Sequence, residues 1–142
     1  MNLYLDASAL VKRYVEEVSS DDVLDWMDAA EISGMVLVTR AEVAAAIMRA
    51  SRLRIISTQE IQQSLAKFRD EWFSFQRLPV TEPMIASADR LACEFGLRSY
   101  GAVHLAAALT WRDNLGFPVT LATFDRELAD AARQSGLTVL PE

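Results

Sequence analysis

Four short apolar-rich runs, Leu3–Leu5, Met35–Val38, Val119–Thr123 and Thr138–Leu140, are separated by segments whose apolar residues recur at helical spacing. The runs are continuous rather than alternating, the pattern of strands covered on both faces in a parallel sheet. A weaker fifth run spans Arg77–Val80. Between them, Ala7–Glu16, Asp21–Ala30, Arg40–Leu53, Thr58–Phe73, Glu82–Phe95, Ala102–Arg112 and Arg126–Gln134 read as helices. Thr81 with Pro83 marks a helix start, and Gly96 and Gly136 sit where helices end. Strands alternating with helices predict a doubly wound α/β fold, with a mainly parallel sheet of four to five strands and helices on both faces. Ligands of such sheets bind beyond the carboxyl ends of the strands.

The 142 residues, 51% of them hydrophobic, suffice for one core, and with no repeat or linker the expectation is a single domain over residues 1–142. No run reaches the roughly eighteen apolar residues of a membrane span, and Asp6, Lys12 and Arg13 interrupt the first segment, so a cytoplasmic protein without membrane contact is expected. Cys93, the one cysteine, forms no internal disulfide and is expected on an apolar helix face. His104, the one histidine, excludes paired-imidazole catalysis and histidine-rich metal sites. Phosphate-binding glycine loops and the Gly-x-Ser-x-Gly elbow are missing from the sequence. A net charge of −6 opposes sequence-independent adhesion to nucleic acid, so any such contact must be local.

Asp6 directly follows the first strand, Glu42 lies three residues beyond Thr39 at the end of the second, and Asp125 follows the run from Val119 to Phe124. All three are expected on one edge, where grouped carboxylates suit a hard divalent cation. Each also has a plainer explanation. Asp6 and Asp125 fit helix N-caps, and Glu42 fits a capping box with Thr39.

The segments around these residues resemble PIN-domain ribonucleases, specifically VapC-type toxins. Leu3-Tyr4-Leu5-Asp6-Ala7-Ser8 is similar to that family's first motif, Val38-Thr39-Arg40-Ala41-Glu42-Val43 to its second, and Ala122-Thr123-Phe124-Asp125 to its last. The resemblance implies a PIN-like three-layer fold and a metal-dependent endoribonuclease in which Asp6, Glu42 and Asp125 hold Mg2+ or Mn2+. It further implies RNA as substrate, a homodimer, and a VapB-type antitoxin whose C-terminal segment blocks the cleft.

One position departs from the family pattern: Gly101 stands where an aspartate is expected. Glycine there supplies no ligand, although it is acceptable as an N-cap, so the fold is expected to survive while activity is attenuated or lost. His104 falls one turn later on the same face, either beside the site or satisfied by local hydrogen bonds. Ser8 and Thr123 are candidates to hold waters or carboxylates from outside the ligand set, or to act as capping hydroxyls. Among the basic residues, Lys12, Arg13 and Arg40 lie near the site in sequence, and Arg49, Arg52 and Arg54 cluster at the end of one helix. They are candidates for RNA phosphates or for a solvated face. Glu16, Glu17, Asp21, Asp22, Asp25, Asp28 and Glu31 read as solvated surface that could also meet a basic partner.

Overall fold

A computed structural model describes residues 1–53 and 56–142. Five parallel strands, β1 (Asn2–Leu5), β2 (Ile32–Val36), β3 (Gln76–Leu78), β4 (Val119–Ala122) and β5 (Thr138–Leu140), form one sheet in the order β3-β2-β1-β4-β5. The order reverses between β1 and β4, the position at which such a sheet opens a crevice at its carboxyl edge. The predicted doubly wound architecture is present, including the weaker fifth strand.

Side chains on β1 alternate between two cores. Leu3 and Leu5 pack with residues of α1 (Ala7–Leu10), α2 (Ser20–Ala29), α3 (Thr39–Arg52) and α4 (Thr58–Glu71). Tyr4 points into the opposite layer, with α5 (Glu82–Phe95), α6 (Ser99–Leu115) and α7 (Arg126–Gln134). The period of two along a strand thus sends neighbouring residues to different helical layers. In the first layer, Tyr14, Phe68, Trp72 and Phe75 meet edge-on in sequence, with centroids 5.1, 5.6 and 6.4 Å apart. Such pairs each contribute about 0.5–1.5 kcal/mol beyond simple burial.

Several element boundaries differ from the sequence reading. The first helix ends at Leu10 and passes into a 3-10 turn over Val11–Arg13 rather than continuing to Glu16. The fourth helix likewise tightens into a 3-10 turn at Trp72–Ser74. β2 lies earlier than Met35–Val38, because Leu37 and Val38 form the turn that starts α3 and Ile32 and Ser33 pair with Asn2 and Leu3. Gly34 belongs to this strand because Trp111 of α6 packs against it, and a Cβ there would come within 2.8 Å of the indole. α6 begins at Ser99, three residues before the expected Ala102, which places Gly101 inside the first turn instead of at the cap. Cys93 is exposed on α5, not packed on an apolar face. Among the described residues no helix is long and apolar enough to cross a membrane.

Candidate functional site

The carboxyl edge gathers the acidic residues through the ends of three adjacent strands. Asp6 follows β1 and caps α1, its Oδ1 accepting from the Ala9 N–H at 3.0 Å. Asp125 follows β4, the neighbour of β1, and caps α7 by accepting from the Leu128 N–H at 3.2 Å. Both capping explanations are therefore correct, and both hold alongside the shared location. The capping box is not formed. Thr39 is itself the first residue of α3, Val38 precedes it without a side-chain cap, and the buried Thr39 hydroxyl has no partner among the described residues. Glu42 is left free to turn elsewhere, and its Oε1 lies 2.7 Å from His104 Nε2.

Asp6 is the most constrained of the three carboxylates. The Ser8 hydroxyl donates to Oδ1 at 2.6 Å and the Thr123 hydroxyl to Oδ2 at 2.5 Å, while only 5% of the residue is exposed. Thr123 in turn accepts from the Asp125 N–H, and Ser8 from the Phe124 N–H, so the loop after β4 is tied to the loop after β1. Burial raises the Asp6 carboxyl above its ordinary range, and the hydrogen bonds from Ser8, Thr123 and Ala9 offset this only in part. Ser8 and Thr123 thus both spend their hydroxyl protons on the Asp6 carboxylate.

His104 is buried, and its partners are remote in sequence, not local as the plainer reading expected. Nδ1 lies 2.8 Å from the Tyr4 hydroxyl, which also accepts from the Val36 N–H at 3.3 Å. Burial pushes the Tyr4 phenol well above its ordinary value, so the group remains a hydroxyl. Sequence reasoning missed Tyr4, because as an interior strand residue it carries no signal beyond ordinary core material.

Beside these residues lies a cleft of about 800 Å3 whose walls include Ser8, Lys12, Glu42, Arg49, Tyr100 and Phe124. Lys12 is anchored by Glu17 at 3.1 Å and sits over the Phe124 ring at 4.5 Å. Arg13 is turned away into a pair with Glu71 at 2.7 Å, Arg40 covers Trp72, and Arg52 is exposed outside the cleft. Of the arginines considered for phosphates, the structure brings Arg49 to the cleft, while Arg54 lies outside the described residues. The acidic residues from Glu16 to Glu31 are exposed, as expected.

The donor set fits a hard cation in kind: every candidate ligand is a carboxylate oxygen, and Glu42 Oε2 and Asp125 Oδ2 accept no hydrogen bond among the described residues. Among those residues, no group of three or more histidine, cysteine, aspartate or glutamate side chains is placed to hold a metal ion as it stands. Magnesium that works on phosphates is held through one or two protein carboxylates and keeps several waters. At Gly101, a Cβ would meet nothing within 4 Å, so the position has room for a longer side chain.

A parallel sheet with carboxylates at its switch point defines a class of acidic-site α/β proteins, and comparison narrows it. The PIN domain family model matches residues 3–134. "Ribonuclease VapC45" of Mycobacterium tuberculosis is 30% identical over 140 residues, covering 98% of this chain and 94% of that protein. The solved FitAcB structure from Neisseria gonorrhoeae superposes with a TM-score of 0.70 at 18% identity, covering 96% of this chain and 95% of its own. VapBC2 from Rickettsia felis, bound to a DNA fragment from its promoter, gives a TM-score of 0.65 at 13% identity over 98% and 97%. The chain belongs to the PIN-domain family and is of the VapC type.

Proposed function

We propose that the chain is a Mg2+- or Mn2+-dependent endoribonuclease, attenuated by Gly101, that acts as the toxin of a pair with a VapB-type antitoxin. What supports this reading is the placement of Asp6 and Asp125 directly after the adjacent strands β1 and β4 and of Glu42 in the first turn of the helix after β2, in a chain near-fully aligned with a ribonuclease VapC. Asp6, Glu42 and Asp125 are the residues that would hold the ion. A bound magnesium supplies a water of lowered pKa and neutralises charge developing on phosphate oxygens. Ser8 and Thr123 keep Asp6 fixed, so that little reorganisation is needed when a cation arrives. Lys12 and Arg49 in the cleft wall are placed to meet RNA phosphates. A cytoplasmic homodimer in which the carboxylates of Asp6, Glu42 and Asp125 take a cationic segment of the antitoxin completes the reading.

Gly101 itself favours a second reading, a PIN-like binding module that keeps the antitoxin and no longer cuts. The two separate in one assay. A mixed RNA pool is incubated with the chain, with Gly101→Asp, and with Gly101→Asp/Asp6→Asn, each with and without magnesium or manganese. The nuclease reading expects metal-dependent cleavage that rises roughly 10–100-fold in Gly101→Asp and vanishes in the double variant. Equal and negligible cleavage by all three contradicts it and supports the binding module.

A further inference from the structure

The single histidine is the centre of a hydrogen-bonded chain that begins on the sheet and ends on a candidate ligand: Val36 N–H, Tyr4 hydroxyl, His104 imidazole, Glu42 carboxylate. Hydrogen-bond counting fixes its direction. The Tyr4 hydroxyl is wholly buried and already accepts from Val36, and among the described residues the only other group within reach is His104 Nδ1. A proton on Nδ1 would leave the hydroxyl with two donors and its own proton unpartnered, which buried polar groups avoid. In the neutral form, that placement would also set a bare Nε2 lone pair 2.7 Å from Glu42 Oε1. Tyr4 donating to Nδ1, with Nε2–H donating to Glu42, satisfies every member.

We propose that Tyr4 and His104 are positioning residues for Glu42, holding its Oε1 through the Nε2–H tautomer so that Oε2 stays available to a cation. Glutamate is a rotamer-rich side chain, and fixing it only when the ion binds would cost entropy and weaken affinity. The chain fixes it beforehand. Tyr4 stands two residues before Asp6 on β1, so one strand sets both a ligand and the anchor of another ligand. The role rests on the metal-site reading above, whereas the tautomer itself does not.

Because His104 is the sole histidine, its two ring nitrogens can be read without overlap in a long-range 1H–15N correlation spectrum of the metal-free protein. The expected spectrum at pH 7.5 shows Nε2 protonated and Nδ1 bare. Tyr4→Phe should keep the proton on Nε2, where Glu42 accepts it, but leave the ring without its Nδ1 anchor and raise the Mn2+ dissociation constant about 10-fold, the lower end of what loss of a supporting group typically does. His104→Gln, which keeps an N–H donor near the Nε2 position, should bind Mn2+ within about three-fold of the parent, while His104→Leu should lose about 10-fold. A parent protein with Nδ1 protonated overturns the relay, as does a folded Tyr4→Phe with unchanged Mn2+ affinity. The expected tautomer in a parent that binds no Mn2+ at all overturns the metal-site reading instead, and the positioning role with it.

Discussion

Replacing Asp6 by asparagine should make the metal-free protein more stable while removing the site. The parent holds a carboxylate that is 5% exposed, and the desolvation penalty for a buried ion is several kcal/mol even after relaxation. Three hydrogen bonds compensate in part, from Ser8, Ala9 and Thr123. An asparagine in the same pose keeps the Ser8 and Ala9 bonds through its oxygen, and its amide can donate to Thr123, whose own proton then turns to Ser8 Oγ at 3.5 Å, so the loss is about 1 kcal/mol for each side-chain bond that is weakened or ceases to be charge-assisted. The balance is a gain of about 1–2 kcal/mol, the usual size when a strained functional group is relieved, or a Tm higher by roughly 3–6 °C. The pH dependence follows from the raised folded-state value of Asp6. Below the unfolded value of about 3.9 both states are protonated and the penalty is absent. As pH rises from there through the raised folded value, the parent loses stability, and above it the deficit is constant. Urea unfolding from pH 4 to 8 should therefore show Asp6→Asn gaining on the parent with pH. Magnesium at about 100 times its Kd should return roughly 2.7 kcal/mol to the parent and nothing to the variant. A variant less stable than the parent at pH 7.5 without metal would refute the reasoning.

Glu71→Gln should lower stability by about 1 kcal/mol after allowance for partial exposure. Although burial raises the Glu71 carboxyl, hydrogen bonds from Arg13 and Tyr14 hold it below its ordinary value, so its contribution is present above about pH 4.3 and is lost as pH falls through the lowered value. Chemical unfolding from pH 3 to 7 checks the sign. Gly34→Ala should cost about 1–3 kcal/mol, since its Cβ would press on Trp111 and come within 3.2 Å of the Gln76 carbonyl, and a Tm falling by less than about 2 °C would contradict that contact. Gly101→Asp should stabilise the fold by about 0.5 kcal/mol, because it removes glycine from a helix and places an acid in the first turn, where a Cβ meets no neighbour. Thermal melts with magnesium should enlarge that gain.

The placement of Asp6 and Asp125 was legible because a strand end followed by a helix is a local pattern, and topology then puts β1 beside β4. Ser8 and Thr123 were legible for the same reason. Glu42 was located but its surroundings were not. Its partner lies 62 positions away on α6, and the residue that anchors that partner lies 100 positions further back on β1, so no window of sequence contains the relay. The boundary of α6 was misplaced because glycine is a good cap, and Arg98, the actual N-cap, makes no side-chain cap bond. β2 was shifted for a related reason: Gly34 interrupts the apolar run, and only the indole of Trp111 explains why the strand passes through it.

On the proposed function, Asp6, Glu42 and Asp125 together hold a divalent cation. Crystals soaked in manganese and measured at its absorption edge test this directly. An anomalous peak within ligand distance of Glu42 Oε2 and of the Asp6 and Asp125 carboxylates is the predicted result; manganese elsewhere on the molecule, or no peak at saturating concentration in crystals with an open cleft, would contradict it.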